Sequence, residues 1–198
     1  MKKKLLLVLV VAAFVVGGCI SSPQKARDRG MAFYDLGDYP KAHPLLEKAF
    51  AGGMTEPELI VRLAFCRATV KSEIGSAIEL LRDAVLKYPD YARLYYELGF
   101  IAFQYGPQDS AKNLRQAIEF THIAVEKDTA DWLFKDNLGM YYGLMGQLDS
   151  ARIWLQAAQR LRPADSDLNA RLEQLEQYLR EKAAQDSTGE SDTLKLSE

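Results

Sequence analysis

Alanine recurs at Ala42, Ala77, Ala117 and Ala151, at intervals of 35, 40 and 34 residues. A period of that size is the mark of an array of small supersecondary units rather than of one globular core. Seven positions after each stands another alanine, Ala49, Ala84, Ala124 and Ala158, with Leu46, Leu81, Thr121 and Leu155 between them. Upstream, Gly30, Gly99 and Gly139 fall where a first helix would cross its partner, and Phe65 holds the corresponding place in the second unit. Glycine and alanine at such crossings let antiparallel helices approach closely, while larger apolar side chains fill the gaps of the neighbouring pair. No such unit can bury its apolar face alone, so an all-α stack is expected, with a polar cover at its ends. The punctuation agrees. Gly37 and Asp38 end one helix and cap the next, Pro40 sits in that helix's first turn, and Pro89 and Pro163 close the second and fourth units. Pro44, four residues further on, is expected to loosen its turn.

The pattern resembles the tetratricopeptide repeat, a helix-turn-helix unit of 34 residues. The fourth unit, Trp132 to Asp165, carries Leu138, Gly139, Tyr142, Gly146, Ala151, Leu155, Ala158 and Pro163. The first, Pro23 to Glu56, carries Gly30, Phe33, Gly37, Tyr39, Ala42, Leu46 and Ala49. The resemblance implies a right-handed α-solenoid of about four repeats, over 23–56, 58–91, 92–131 and 132–165, the third with about six extra residues between its helices around Gly106 to Asn113.

In that family the first helices line a concave face. The positions that usually project into it correspond here to Arg27, Met31 and Tyr34, then Arg62, Cys66 and Thr69, then Tyr96, Phe100, Phe103 and Gln104, then Asp136 and Met140. A surface with an aromatic centre and two arginines suits a peptide or helix with apolar anchors and an acidic group near Arg27 or Arg62. The alternative is that Tyr96, Phe100 and Phe103 pack inside, against the third unit's insertion or the final helix. The lysine and asparagine clamp by which some members hold a terminal carboxylate is absent from these positions.

After Pro163 the pattern changes. Asp165 and Ser166 are candidate N-caps for a helix over 164–184, in which Leu168, Leu172, Leu175 and Leu179 recur at spacings of 4, 3 and 4. One apolar stripe with charge elsewhere reads as a capping helix; a dimerising coiled coil is the competing reading. The polar stretch 185–198 is expected to be disordered.

Met1 is followed by Lys2, Lys3 and Lys4, then by an unbroken apolar run from Leu5 to Val16 that ends in Gly17, Gly18 and Cys19. A charged start, an apolar stretch too short to span a bilayer comfortably and a small-residue cleavage site read as a signal peptide over 1–18. Val16 to Cys19 resembles the bacterial lipobox. That resemblance implies cleavage before Cys19 and acylation of its thiol and amino group, leaving 19–22 as a lipidated start and short linker. Several acyl chains anchor a protein stably where one is marginal. Ile20, in place of the usual inner-membrane retention aspartate, points to the outer membrane facing the periplasm in a diderm cell, and otherwise to the outer face of the cell membrane. An ordinary secretory signal followed by an incidental cysteine is the alternative.

Without the leader's three lysines the chain holds 22 basic against 27 acidic residues. That balance disfavours nucleic acid, which needs a basic stripe to displace counterions. No basic amphipathic helix marks out a segment that lies on a membrane. With Cys19 acylated, Cys66 has no disulfide partner. It reads as a small buried or groove-lining thiol rather than a nucleophile, because neither His43 nor His122 is placed to activate it. No spacing suggests a metal site or a cofactor, and no acid-base pair can be nominated. The reading is therefore a membrane-anchored adaptor of the bacterial envelope that binds protein or peptide partners and is not an enzyme. Outer-membrane protein assembly and secretion or pilus machinery are the settings that repeat lipoproteins suggest, and a self-associating structural protein is the alternative.

Overall fold

In a computed structural model the protein is described over residues 22–106 and 110–194, and every element among these is a helix. In chain order they are α1 (Pro23–Asp35), α2 (Tyr39–Ala51), α3 (Pro57–Val70), α4 (Ile74–Lys87), α5 (Ala92–Tyr105), α6 (Ser110–Lys127), α7 (Trp132–Leu144), α8 (Leu148–Leu161) and α9 (Ser166–Leu194). The leader and Cys19 lie outside the described residues, as does 195–198. The chain forms two compact units, Met1–Ser72 and Glu73–Glu198.

In the first unit α1 and α2 form a hairpin and α3 packs on both. Ser22 caps α1 by accepting from Lys25 N–H at 3.3 Å, and Asp38 caps α2 by accepting from Lys41 N–H at 3.2 Å. Gly37 supplies the left-handed turn between these helices with φ +75°, and Gly146 does the same between α7 and α8 with φ +73°. Ser72 occupies the equivalent place after α3, with φ +55°, where a side chain costs energy that glycine would not. Helix α2 runs through Pro44 without a break, although the proline has no N–H to give to the preceding turn.

In the second unit α4 packs on α5, α5–α6 and α7–α8 are hairpins, α7 seats against α6, and α9 seats against α8. The recurrent alanines Ala77, Ala84, Ala117, Ala124, Ala151 and Ala158 are all buried in it. A Cβ added to Gly139 would lie 2.6 Å from Leu155 Cγ, and one on Gly99 would lie 3.1 Å from the Ala117 backbone. In the first unit a Cβ on Gly30 would meet Leu46 at 2.9 Å. These distances show helix backbones meeting side chains with no room between them.

Three features differ from the sequence expectation. First, the crossing residue of α3 is Ala64, not Phe65. Ala64 is seven residues after the helix start, as Gly30, Gly99 and Gly139 are in theirs, and it is fully buried. Phe65 turns instead to Tyr34 and Tyr39, with ring centroids 5.7 and 5.0 Å away. The position shifts by one because α3 is one residue longer than α1 and α7, while the three-residue turn that follows each is the same, so Ala77 comes one residue later.

Second, the extra residues of the third repeat are largely not a loop. Helix α6 begins seven residues before Ala117, whereas α2, α4 and α8 begin three before Ala42, Ala77 and Ala151, so the insertion adds a helical turn. Third, α9 continues to Leu194, past the boundary expected at 184 and into the stretch read as disordered. A polar composition argues against burial rather than against a helix; Glu181 to Gln185 are all good helix formers that carry it past 184, although Gly189 and the Ser, Thr and Asp residues around it are not.

Candidate functional site

The first unit brings Arg27, Met31, Tyr34, Arg62, Cys66 and Thr69 onto α1 and α3, and most are engaged within the unit. Arg27 meets Glu56 at 2.5 Å and Asp28 at 3.0 Å. Arg62 meets Glu58 at 2.8 Å and Asp35 at 2.5 Å, and its guanidinium lies 5.0 Å from the centre of the Tyr34 ring. The two arginines expected to meet an acidic ligand are thus neutralised by the protein's own carboxylates, and a ligand acid would have to displace these. Cys66 is fully buried, and burial pushes its thiol up to about 12, so it offers neither a groove contact nor a thiolate. Thr69 donates its hydroxyl to the Phe65 carbonyl at 2.8 Å. Met31 and Tyr34 are half-buried.

In the second unit Tyr96 is also lost to the surface. It is 5% exposed and stacks on Phe100 at 5.9 Å and on Phe134 of α7 at 5.1 Å, and burial raises the pKa of its hydroxyl. Tyr96 therefore packs inside, against α7 rather than against the insertion or the final helix, while Phe100 beside it is half-buried at the edge of the same cluster. Asp136 is 6% exposed, and its Oδ2 accepts from Arg171 of α9 at 2.9 Å. Burial raises the pKa of its carboxyl, and Arg171 opposes that shift. The final helix thus covers this position and supplies its counter-charge. Gln104 and Met140 remain exposed.

Phe103 leads to an open apolar feature. It packs edge-on against the buried Tyr141 ring at 5.1 Å and, with Ala111, Leu114, Leu144 and Met145, lines a cavity of about 400 Å³. The cavity draws on the end of α5, the added first turn of α6 and the end of α7. Leu144 at its edge is 59% exposed, and Met140 one turn earlier is 39% exposed. Leu144 and Met145 were not among the residues singled out from the sequence. The usual repeat positions do not include them, and the added turn that supplies Ala111 read as a loop.

A second cluster escaped the sequence reading because its members lie on three helices. His122 Nε2 and Tyr142 Oη share a hydrogen bond of 2.8 Å, and the Trp154 ring stands 5.2 Å from the imidazole. Burial lowers the His122 pKa below 6.5. Among the described residues no three His, Cys, Asp or Glu side chains gather as a metal site would require.

No family profile and no curated protein matches the sequence. Solved structures do resemble the fold. TTC0263 of Thermus thermophilus, a thermophilic tetratricopeptide-repeat protein, is 23% identical, with 80% of this chain and 83% of that one aligned at a TM-score of 0.69. MamA AMB-1 is 20% identical over 86% of this chain and 97% of its own, at a TM-score of 0.62. MamA of Desulfovibrio magneticus RS-1 is 22% identical over 73% and 77%, at 0.57. At these identities the likeness concerns the fold alone: the protein has the helix-turn-helix repeat fold of the tetratricopeptide α-solenoids.

Proposed function

We propose that the protein is a lipid-anchored adaptor of the bacterial envelope, tethered through Cys19 and docking an apolar side chain of a partner protein in the cavity beside Phe103. The observation that carries the docking half is that cavity. At about 400 Å³ it falls in the range of sites that take one or two large side chains, and the exposed Leu144 that lines it, with exposed Met140 one turn earlier on α7, gives an arriving segment further apolar surface. The repeat fold favours a binding role over a catalytic one, since stacked helical hairpins present an extended surface to a partner rather than an enclosed cleft. The membrane half rests on the charged, apolar and small-residue succession of 1–19.

The test is a photo-crosslinking residue at Leu144 in intact cells, alongside Phe103→Asp. A discrete adduct that the Phe103 variant reduces at least about tenfold, with helicity unchanged, agrees with a hot spot worth more than about 1.4 kcal/mol. An adduct pattern indifferent to Phe103 overturns the site. Mass spectrometry of the purified protein reports the anchor separately, since acylation of Cys19 adds the mass of its chains.

A self-associating protein is the second reading, and the length of α9 favours it. Tyr178, on the outer side of α9, is 53% exposed. Sedimentation across concentrations decides, because a concentration-independent monomer removes this reading.

A further inference from the structure

Helix α1 has an outward line that nothing in the adaptor reading uses. Lys25, Arg29, Ala32 and Leu36 follow one another at spacings of 4, 3 and 4, so they lie along one face, and all four are exposed. The buried residues of the helix, Ala26 and Gly30, lie to the side of this line. Leu36 is 80% exposed, among the most exposed large apolar side chains of the described residues.

The charges around this line are sorted. The described part of the first unit holds six carboxylates, Asp28, Asp35, Asp38, Glu47, Glu56 and Glu58, and each is held in an ion pair by Arg27, Lys41, Arg62 or Arg67. Lys25 and Arg29 have no ion-pair partner among the described residues. By count α1 is nearly neutral, which is why no basic amphipathic helix stands out in the sequence. By arrangement its acids are turned to the arginines at one edge, and its outward line is cationic with an apolar end. Cys19 is three residues from Ser22, so its Cα lies within about 11 Å of the start of α1 whatever the conformation between.

We propose that this line of α1 lies on the anionic phospholipid surface that holds the acyl chains of Cys19, with Lys25 and Arg29 at the headgroups and Leu36 entering the interface. The proposal rests on the lipid anchor. Two cations and one leucine bind a bilayer weakly on their own, but a tether this short makes the contact effectively intramolecular, so weak attraction suffices to lay the helix down. Lysine and arginine stems are suited to the place, since they run along apolar surface while the charge stays among headgroups. The contact gives the first unit a fixed face toward the membrane.

The experiment uses the mature, natively acylated protein carrying Leu36→Cys, labelled with an environment-sensitive fluorophore and reconstituted in vesicles of phosphatidylcholine alone or with phosphatidylglycerol added. Buried Cys66 is left unlabelled in the folded protein. Expected is a blue-shifted emission, quenched by lipid-borne bromine about tenfold more in the anionic vesicles at low salt than in the neutral ones. Lys25→Glu with Arg29→Glu abolishes that difference while the protein still floats with the vesicles. Flotation with a water-like probe in both lipids overturns the inference and leaves the anchor standing. A shift of equal size in both lipids overturns the headgroup contact, and a shift that requires added envelope protein assigns the face to a protein instead. An unacylated protein that does not float removes the anchor and this inference together.

Discussion

Helices α7 and α9 start alike and end differently. Asp131 caps the first by accepting from Leu133 N–H at 2.8 Å, and Asp165 caps the second by accepting from Leu168 N–H at 3.1 Å. Counted from these caps, Phe134 and Leu138 of α7 match Leu168 and Leu172 of α9, and all four are buried. One residue further on the two part: α7 has Gly139, against which Leu155 of α8 presses, and α9 has Glu173. A second helix can close on glycine but not on a glutamate. Beside α9 there is instead an open, polar cleft of about 600 Å³ lined by Gln156, Gln159, Arg160, Glu173, Glu176 and Arg180. At this position the two helices thus differ in whether a neighbouring helix can press against the backbone.

The largest expected effect tests that position directly. Gly139→Glu places a Cβ 2.6 Å from Leu155 Cγ and a charge in the α7–α8 contact, so it should cost about 3 kcal/mol or more in denaturant unfolding. A loss under about 1 kcal/mol would break the comparison.

The next effect concerns how α9 is held without a closing helix. Arg171→Ala leaves the Asp136 carboxylate buried without its partner, at a cost of about 2 kcal/mol, below that of a fully buried pair because Arg171 is 45% exposed. The sign with pH follows from burial. The Asp136 pKa is raised above 3.8 in the fold, so the ionised form is the costly one, and its penalty grows as pH rises through that raised value. The deficit of the variant should therefore widen from acid to neutral pH, and unfolding curves at both ends check it. A constant deficit would mean that Arg171 acts through its packing alone.

A smaller effect separates the two helices by their neighbours. Helix α7 is tied to α6 and α8 through Tyr142, His122 and Trp154, and the neutral imidazole is the form the fold prefers. As pH falls below 6.5, the unfolded chain binds a proton that the folded ring resists, and stability drops until pH is below the folded value. His122→Gln should flatten that drop, which unfolding curves on either side of pH 6.5 check. The smallest effect is the mirror of the first. Glu173→Ala, in the open cleft, should leave stability unchanged to within about 0.5 kcal/mol in the same unfolding assay. A marked gain or loss there would show that Glu173 is packed as Gly139 is.

The repeat was legible because its requirement is local and recurrent. Ala42, Ala77, Ala117 and Ala151 are small for the same steric reason each time, so their spacing alone exposes the helical hairpins. The site was legible only in part. Phe103, Gln104 and Met140 stand at the surface or the cavity edge where the repeat pattern put them, but Cys66, Tyr96 and Asp136 are buried, and Arg27 and Arg62 are neutralised. Position within a repeat says which way a side chain leaves its helix. It does not say what arrives from the next helix to cover it, and Arg171 reaches Asp136 from 35 residues along the chain.

The sequence by itself determined the kind of element, where most helices start, and how they pair, because capping, helical period and close crossing depend on a few residues near one another. Which charges are cancelled and which left outward, as with the paired arginines and the bare Lys25 and Arg29, was decided only by the tertiary structure. An ion pair forms wherever two helices happen to bring opposite charges within reach, and that distance is set by packing rather than by order along the chain.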